Sequence, residues 1–427
     1  MMYQFRLDDR HVHRSLFHSL RVQIVYVLAT SLAAPLLVFG IVRGTHVFAF
    51  NSTINAQTLA VMAALLTLFT LRQVGGFFGL VLSRWILPTY GTFAAILGGV
   101  VIFLRLPYSS VLLAINFVFA IIALYVLVVL MARGKRAICY VIPVGRATEL
   151  EDHGKLDMIT LEHQVLPGDE NAIVVADLHA DLGPDWERFL TEVALQGHPI
   201  YHVVQLREAL TGKVQFDHLS ENSFGALIPA IAYKKVKRLI DLAASLALLP
   251  LLIPMMMVIG LLVKLDSSGP AFFLQRRMGY CGQPFWMVKF RTMTVTEDGE
   301  DGEASHTVEN DERITRLGRF LRRTRLDELP QVFNILRGEM SWIGPRPEAV
   351  SLSRDYASKV PNYRYRHLVR PGITGWAQVH QGHVITVEDI QDKLRYDFYY
   401  VKNISFWIDM IIALGTVRVM ISGFGAR

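Results

Sequence analysis

What most restricts this chain is a series of long apolar runs, four before residue 132 and a fifth near the middle. Residues 22–42 form 21 nearly uninterrupted apolar positions, enough at about 1.5 Å per residue to cross a hydrocarbon layer about 30 Å thick. Residues 59–82, 88–104 and 111–131 repeat the pattern between short polar or basic breaks. The second run carries Arg72 and Gln73, and an intramembrane arginine is costly unless it meets a neighbour or a headgroup. The first run is too long for a signal-peptide core, so it reads as a retained helix. With 52% hydrophobic residues among 427, the chain calls for a membrane part.

Basic residues set the expected orientation. Arg10, Arg14 and Arg21 precede the first run, Arg84 lies between the second and third, and Arg133, Lys135 and Arg136 follow the fourth. The alternate loops hold only Arg43 and Arg105. By the positive-inside rule the richer flanks are cytoplasmic, and four crossings return the chain there. A formal charge of +6 suits an anionic lipid surface or phosphorylated substrates as readily as nucleic acid, so charge alone decides nothing. Cys139 and Cys281 have neither disulfide-framework nor zinc spacing.

Residues 137–222 change character. Short β-rich runs at 137–144, 172–176 and 199–204 alternate with a polar helical pattern at 185–195. That alternation predicts a small α/β domain with a parallel sheet, a degenerate Rossmann-like unit. The phosphate-cradling glycine fingerprint is missing, because the first run is followed by Pro143-Val144-Gly145-Arg146-Ala147. The domain is therefore expected to be structural, with a surface on which a homodimer can form.

The fifth run, residues 242–263, has Ser245 as its only polar side chain, with Lys235, Lys237 and Arg238 before it and Lys264 after it. Length alone says that it spans. A fifth crossing would put the polar motifs that follow on the far side, against their basic character. Pro250 and Pro254 lie four residues apart on one helical face, and each removes an amide donor and strains the preceding turn. They offer a bend, so the segment reads either as a kinked spanning helix or as a re-entrant helix over 239–264. Basic flanks at both ends favour re-entry.

Beyond residue 264 arginines accumulate: Arg276, Arg277 and Arg291 with Lys289, then Arg313, Arg316, Arg319, Arg322, Arg323 and Arg325. Guanidinium forks bind phosphate bidentately. Arg316, Arg319 and Arg323 share a helical face from which Leu317, Phe320 and Leu321 are expected to point away, and such a face also suits anionic headgroups. Asp327 and Glu328 follow at once, and adjacent carboxylates among arginines suit attack on phosphorus or binding of Mg²⁺. A plainer use of Asp327 is to cap a helix whose first turn holds Pro330.

Four motifs then occur in order: Lys289-Phe290-Arg291-Thr292-Met293, Asp327-Glu328-Leu329-Pro330-Gln331, Trp342-Ile343-Gly344-Pro345-Arg346-Pro347-Glu348 and Arg370-Pro371-Gly372-Ile373-Thr374-Gly375-Trp376. In order and spacing they resemble the bacterial sugar transferases, the polyprenyl-phosphate hexose-1-phosphate transferases or monotopic phosphoglycosyl transferases. The likeness runs from about residue 235 to the C-terminus, and the N-terminal helices and α/β domain are similar to the long members of that family. It implies three parts: four transmembrane helices over 1–132, a cytosolic α/β domain and linker over 133–232, and an α-rich catalytic domain over 233–427 with its re-entrant helix.

The resemblance further implies that Asp327 attacks the sugar-linked phosphorus of a UDP-sugar, UDP-glucose or UDP-galactose in the usual long members, and releases UMP. The phosphosugar then passes to undecaprenyl phosphate in the first membrane step of exopolysaccharide, capsule or O-antigen synthesis. Glu328 completes a carboxylate dyad, Mg²⁺ sits at Asp327, and Arg322 and Arg346 bind phosphate. Lys289 and Arg291 either contact substrate or hold the fold. The implied partners are the UDP-sugar, undecaprenyl phosphate and membrane lipid, with no nucleic acid. The implied place is the bacterial inner membrane, with the catalytic domain cytoplasmic. One departure is Ile253-Pro254 where small members have Ser-Pro, which leaves a proline-freed carbonyl without that serine.

Two rival readings remain. An oxidoreductase or dehydratase would use Tyr233 and Lys237, which have Tyr-x-x-x-Lys spacing but no preceding glycine fingerprint. A polysaccharide-export scaffold would have no use for the intact Asp327-Glu328 pair. Residues 297–303 are expected to form an acidic loop rather than a calcium loop. His380 and His383 are expected at the surface, and residues 404–422 as an interfacial helix.

Overall fold

The computed structural model describes residues 19–43, 50–74, 83–132, 138–150, 156–167, 172–214, 231–294, 313–381 and 387–422. The basic flanks at 10, 14, 133, 135 and 136, the acidic stretch 297–303 and His383 lie outside them. The chain divides into two compact units, residues 1–212 and 213–427.

In the first unit, helices α1 (Leu20–Arg43), α2 (Asn51–Val74), α3 (Ser83–Phe103) and α4 (Ser110–Ala132) are each long and apolar enough to cross a membrane. The second begins eight residues earlier than its apolar run and ends at Val74. Arg72 thus occupies the last turn rather than the middle, and its Nη1 donates to Gln23 Oε1 of α1 at 3.2 Å. The early start is hidden because the first turns are polar: Gln57 Nε2 donates to the Ser31 carbonyl, and Asn116 of α4 donates to Gln57 Oε1 at 3.1 Å. Buried amides of this kind tie helices together where lipid supplies no hydrophobic drive.

Strands β1 (Ile138–Val141), β2 (Asp157–Thr160), β3 (Ile173–Ala176) and β4 (Ile200–His202) then form a parallel sheet in the order β2-β1-β3-β4. Alternate strand residues face opposite sides, as the pleat requires. Tyr140, Val174 and Ala176 pack on Phe189, Leu190 and Val193 of α5 (Gly183–Leu195). Cys139, Val141, Ile173 and Val175 pack on Val203, Leu206 and Leu210 of α6 (Val203–Thr211). The expected run at 199–204 stops at His202 because Val203 already starts α6.

The second unit opens on α7 (Ile231–Asp266), 36 residues that include the fifth membrane-length apolar run. Helical structure continues through Pro250 and Pro254, so neither ends the helix. One row of α7, Leu252, Met256, Ile259 and Val263, packs with Phe290, Leu321 and Val332. Next come the antiparallel strands β5 (Phe272–Met278) and β6 (Pro284–Phe290), then α8 (Arg316–Thr324), a 3-10 helix at Leu326–Gln331 and α9 (Val332–Arg337). Gly318 lets α8 touch the backbone after β6, since a Cβ there would lie 2.1 Å from Thr292 O. On α8, Phe320 is exposed beside Arg316, Arg319 and Arg323 rather than turned away from them, because at about 100° per residue it lies only about 40° from Arg316, at the edge of their arc.

Strands β7 (Ser341–Ile343) and β8 (Gly372–Thr374) join the two glycine-containing motifs in parallel. Gly344 N donates to Thr374 O at 2.8 Å, and Gly372 N to Pro345 O at 3.0 Å. Helices α10 (Val350–Lys359), α11 (Trp376–His380), α12 (Val387–Lys402) and α13 (Phe406–Ser422) complete the unit. His380 is stacked between Trp376 and Tyr396, at ring distances of 4.0 and 5.5 Å, not free on the surface. The segment expected at an interface, α13, instead buries Ile408, Ile411, Ile412 and Leu414. The reason is Asp409, which faces inward: its carboxylate accepts from Tyr233 Oη at 2.6 Å, Lys237 Nζ at 2.7 Å and Tyr400 Oη at 2.8 Å. The Tyr233 and Lys237 spacing therefore serves packing.

Candidate active site

The carboxylate pair sits where α8 gives way to the 3-10 helix. Thr315 caps α8 by accepting from Gly318 N at 2.9 Å, and the helix ends at Arg325 in the left-handed conformation, φ 60°. That reversal starts a new, tighter helix. Residues three apart share a face in a 3-10 helix, so Leu326 and Leu329 turn together onto the α7 row. Asp327 and Glu328 occupy the other faces and are nonetheless buried, at 9% and 4% exposure.

Three cations from separate elements converge on Glu328. Arg346, from the turn after β7, reaches Glu328 Oε1 with Nη2 at 2.9 Å; Arg325 lies at 3.5 Å and Lys289 of β6 at 3.6 Å. Burial opposes ionisation of Glu328, but Arg346, Lys289 and Arg325 outweigh it and hold the carboxyl at about 2. Asp327 is the reverse case. Burial first, then the charge of Glu328, raise it above its ordinary value while Lys289, Arg346 and Arg325 pull back. Its Oδ1 is buried and has no hydrogen-bond partner among the described residues, a costly state for a carboxylate that binds nothing. Burial lowers Lys289 to about 8 against the pull of Glu328.

A second buried network braces Arg346. Arg366 donates to the Arg346 carbonyl at 2.8 Å and pairs with Asp397 at 2.8 Å, while Glu348 pairs with Lys393 and lies 3.9 Å from both Arg277 and Arg366. Arg277 also donates to Pro347 O at 3.1 Å. The turn bearing Arg346 is thus fixed from two sides.

Of the residues expected from sequence, Asp327, Glu328, Lys289 and Arg346 come together. Arg322 and Arg291 make contacts outside that group. Arg322 Nε donates to Thr292 Oγ1 at 2.8 Å, and Arg291 donates to Ser267 O at 2.7 Å, holding the chain just past α7. Pro250 and Pro254 remain within α7. Arg325 and Arg277 belong to the constellation without having been singled out. Arg325 was signalled by its place next to the dyad, three residues from Glu328; Arg277 had only the alternation of β5.

A model of the family described as bacterial sugar transferase matches residues 232–423. A relative from Aeromonas hydrophila, named UDP-N-acetylgalactosamine-undecaprenyl-phosphate N-acetylgalactosaminephosphotransferase, is 40% identical over 375 residues, 88% of this chain and 88% of its own length. A protein from Klebsiella pneumoniae named UDP-glucose:undecaprenyl-phosphate glucose-1-phosphate transferase is 45% identical over 183 residues, 42% of this chain and 39% of its own. One from Caulobacter vibrioides with the same name is 40% identical over 200 residues, 46% of this chain and 74% of its own.

Proposed function

The chain belongs to the bacterial sugar transferase family, and from that premise we propose that it moves a sugar 1-phosphate from a UDP-sugar to undecaprenyl phosphate. The observation that carries this reading is the buried Asp327-Glu328 pair, with Asp327 Oδ1 unpartnered among the described residues and three cations gathered on Glu328 Oε1. Asp327 has the free carboxylate oxygen needed to attack the sugar-linked phosphorus. As the new carboxylate O–P bond forms, the P–O–P bridge breaks and UMP leaves with the bridging oxygen. A phosphate oxygen of undecaprenyl phosphate then attacks the same phosphorus and frees Asp327. Arg346, Lys289 and Arg325 hold positive charge beside the phosphoryl group, where it stabilises charge developing in the transition state.

Asp327 Oδ1 is the kind of hard oxygen ligand that suits Mg²⁺, which takes one or two carboxylates together with water and substrate phosphate. When bound, that ion would screen the diphosphate. Glu328 is committed to its cations and keeps Asp327 company as a fixed negative neighbour.

What α7 touches supports one topology. Near its start Lys237 pairs with Asp409, and Arg238 donates to Ile335 O at 2.5 Å; Ser245 accepts from Trp342 Nε1 at 3.1 Å; further on, the row from Leu252 to Val263 packs on Phe290, Leu321 and Val332. Residues 237–263 of a helix extend about 39 Å. A polar domain that follows a helix over such a length cannot stay on one side of a bilayer that the helix crosses. This supports α7 as a re-entrant element whose exposed side, with Leu251, Met257, Leu261 and Leu265, meets lipid while the catalytic unit stays cytoplasmic.

The donor named for the relative covering most of this chain is UDP-N-acetylgalactosamine, whereas the usual long members point to UDP-glucose or UDP-galactose. A panel of these three sugars in a UMP-release assay with undecaprenyl phosphate tests the function. Release from at least one supports it; no UMP from any UDP-sugar overturns it.

A further inference from the structure

The α/β part of the first unit holds a second group of ligand-type side chains, and it stands independently of the transferase reading. Asp177 follows β3, His179 comes two residues later, and His202 ends β4. One side-chain donor atom from each lies within 4.8 Å of the others. His202 Nε2 is 2.8 Å from His179 Nδ1 and 3.4 Å from Asp177 Oδ1. Asp177 and His202 are buried, at 4% and 7% exposure, while His179 is open to solvent.

The position is as informative as the residues. In the order β2-β1-β3-β4, the chain leaves β1 to one side for β2 and resumes on the other side at β3. The order therefore reverses between β1 and β3, and the crevice beyond the carboxyl ends of strands at such a point is where open α/β sheets take ligands. Asp177 sits there with its carboxylate aimed by the backbone: Oδ2 accepts from Arg146 N at 3.1 Å and Oδ1 from His179 N at 3.2 Å.

One hydrogen bond constrains the chemistry. Val204 N donates to His202 Nδ1 at 3.0 Å, capping α6. A neutral His202 then carries its proton on Nε2, the nitrogen that faces His179 and Asp177. A metal on Nε2 needs the proton on Nδ1 instead, where it would oppose the Val204 N–H. Loading is therefore a tautomer change, with the proton moved from Nε2 to Nδ1 and the cap opened.

We propose that Asp177, His179 and His202 form a binding site for a divalent transition ion of the zinc type, which exchanges the N-terminal cap of α6 for coordination. Two imidazoles and a carboxylate are a donor set that zinc accepts, with a position left for water. Magnesium, which prefers oxygen ligands, is the poorer occupant.

The test uses the full-length protein, purified in detergent without a histidine tag and stripped with a chelator. Zn²⁺ is titrated against a chromophoric competitor, and Co²⁺ is added separately as an absorbance probe. Wild type is expected to bind one more zinc per chain than His179→Ala or His202→Asn, or to bind it at least tenfold more tightly. His202→Asn keeps the cap, because an asparagine oxygen accepts the same N–H, so its loss of zinc separates coordination from capping. On loading, the Val204 amide is expected to exchange faster with solvent in wild type and not in His179→Ala. Equal zinc uptake by wild type and both variants overturns the site. Unchanged exchange at Val204 in zinc-loaded wild type overturns the trade of cap for metal.

Discussion

Asp327 and Glu328 are neighbours in sequence with opposite electrostatic histories. Glu328 has three cations within 3.6 Å, whereas Asp327 keeps a buried oxygen without a partner among the described residues. Asp327→Asn removes a buried charge at little cost in shape, so transfer should fall to background while the melting temperature stays level or rises; a clear loss of stability would make Asp327 a structural residue. Arg346 lowers both carboxyls. Attack needs Asp327 ionised, so activity falls as pH drops through its pKa, and removing Arg346 raises that pKa. Arg346→Ala should therefore lower activity roughly 100-fold near neutral pH and move the acid limb of the pH–rate profile to higher pH, with Arg346→Lys shifting it less. An unmoved limb would remove Arg346 from the site. The dyad, Lys289 and Arg346 were legible because they lie in dense motifs, but the motifs do not say which arginines point inward. Arg322 and Arg291 have the same chemistry as Arg346, yet Arg322 Nε donates to Thr292 and Arg291 Nη2 to Ser267.

At the scale of elements, α7 is held by polar clamps near its start and an apolar row farther on. Lys237 and Asp409 are about 90% shielded, and the pair joins α7 to α13. Breaking a buried pair leaves an uncompensated charge, at a cost of about 3–5 kcal/mol. Asp409→Ala should lose that much in denaturant unfolding, and Lys237→Met with Asp409→Leu should recover most of it; a double-variant loss equal to the sum of the two single losses would mean that the pair is not coupled. Periodicity made α1, α3, α4 and α7 plain, since their apolar residues fill the window needed to span. It found α2 but placed its start eight residues late, because the first turns use Gln57 and Thr53 for buried contacts. It also missed β2, where Asp157, Ile159 and Thr160 are exposed and leave no buried alternation to read. The inward role of Asp409 was illegible because two of its three partners lie 172 and 176 residues away.

For the whole molecule, the proposed topology keeps the catalytic unit on one face of a membrane, with α7 following that unit along its length. A cysteine introduced as Ser268→Cys, just past α7, should react with an impermeant thiol reagent only from the cytoplasm; labelling from the far side would mean that α7 spans. The order of parts, membrane helices, a parallel α/β sheet and a polar unit bearing the motifs, was readable from composition. How α7 packs was not, because its exposed and packed faces are both apolar and only the partners in the folded unit distinguish them. The central claim concerns one bond, and it can be observed directly. Enzyme incubated with a reactive UDP-sugar and no lipid acceptor, quenched in acid and digested, should give a peptide containing Asp327 heavier by one sugar phosphate, together with UMP. Release of UMP with Asp327 unmodified, or the adduct on another residue, would contradict the account.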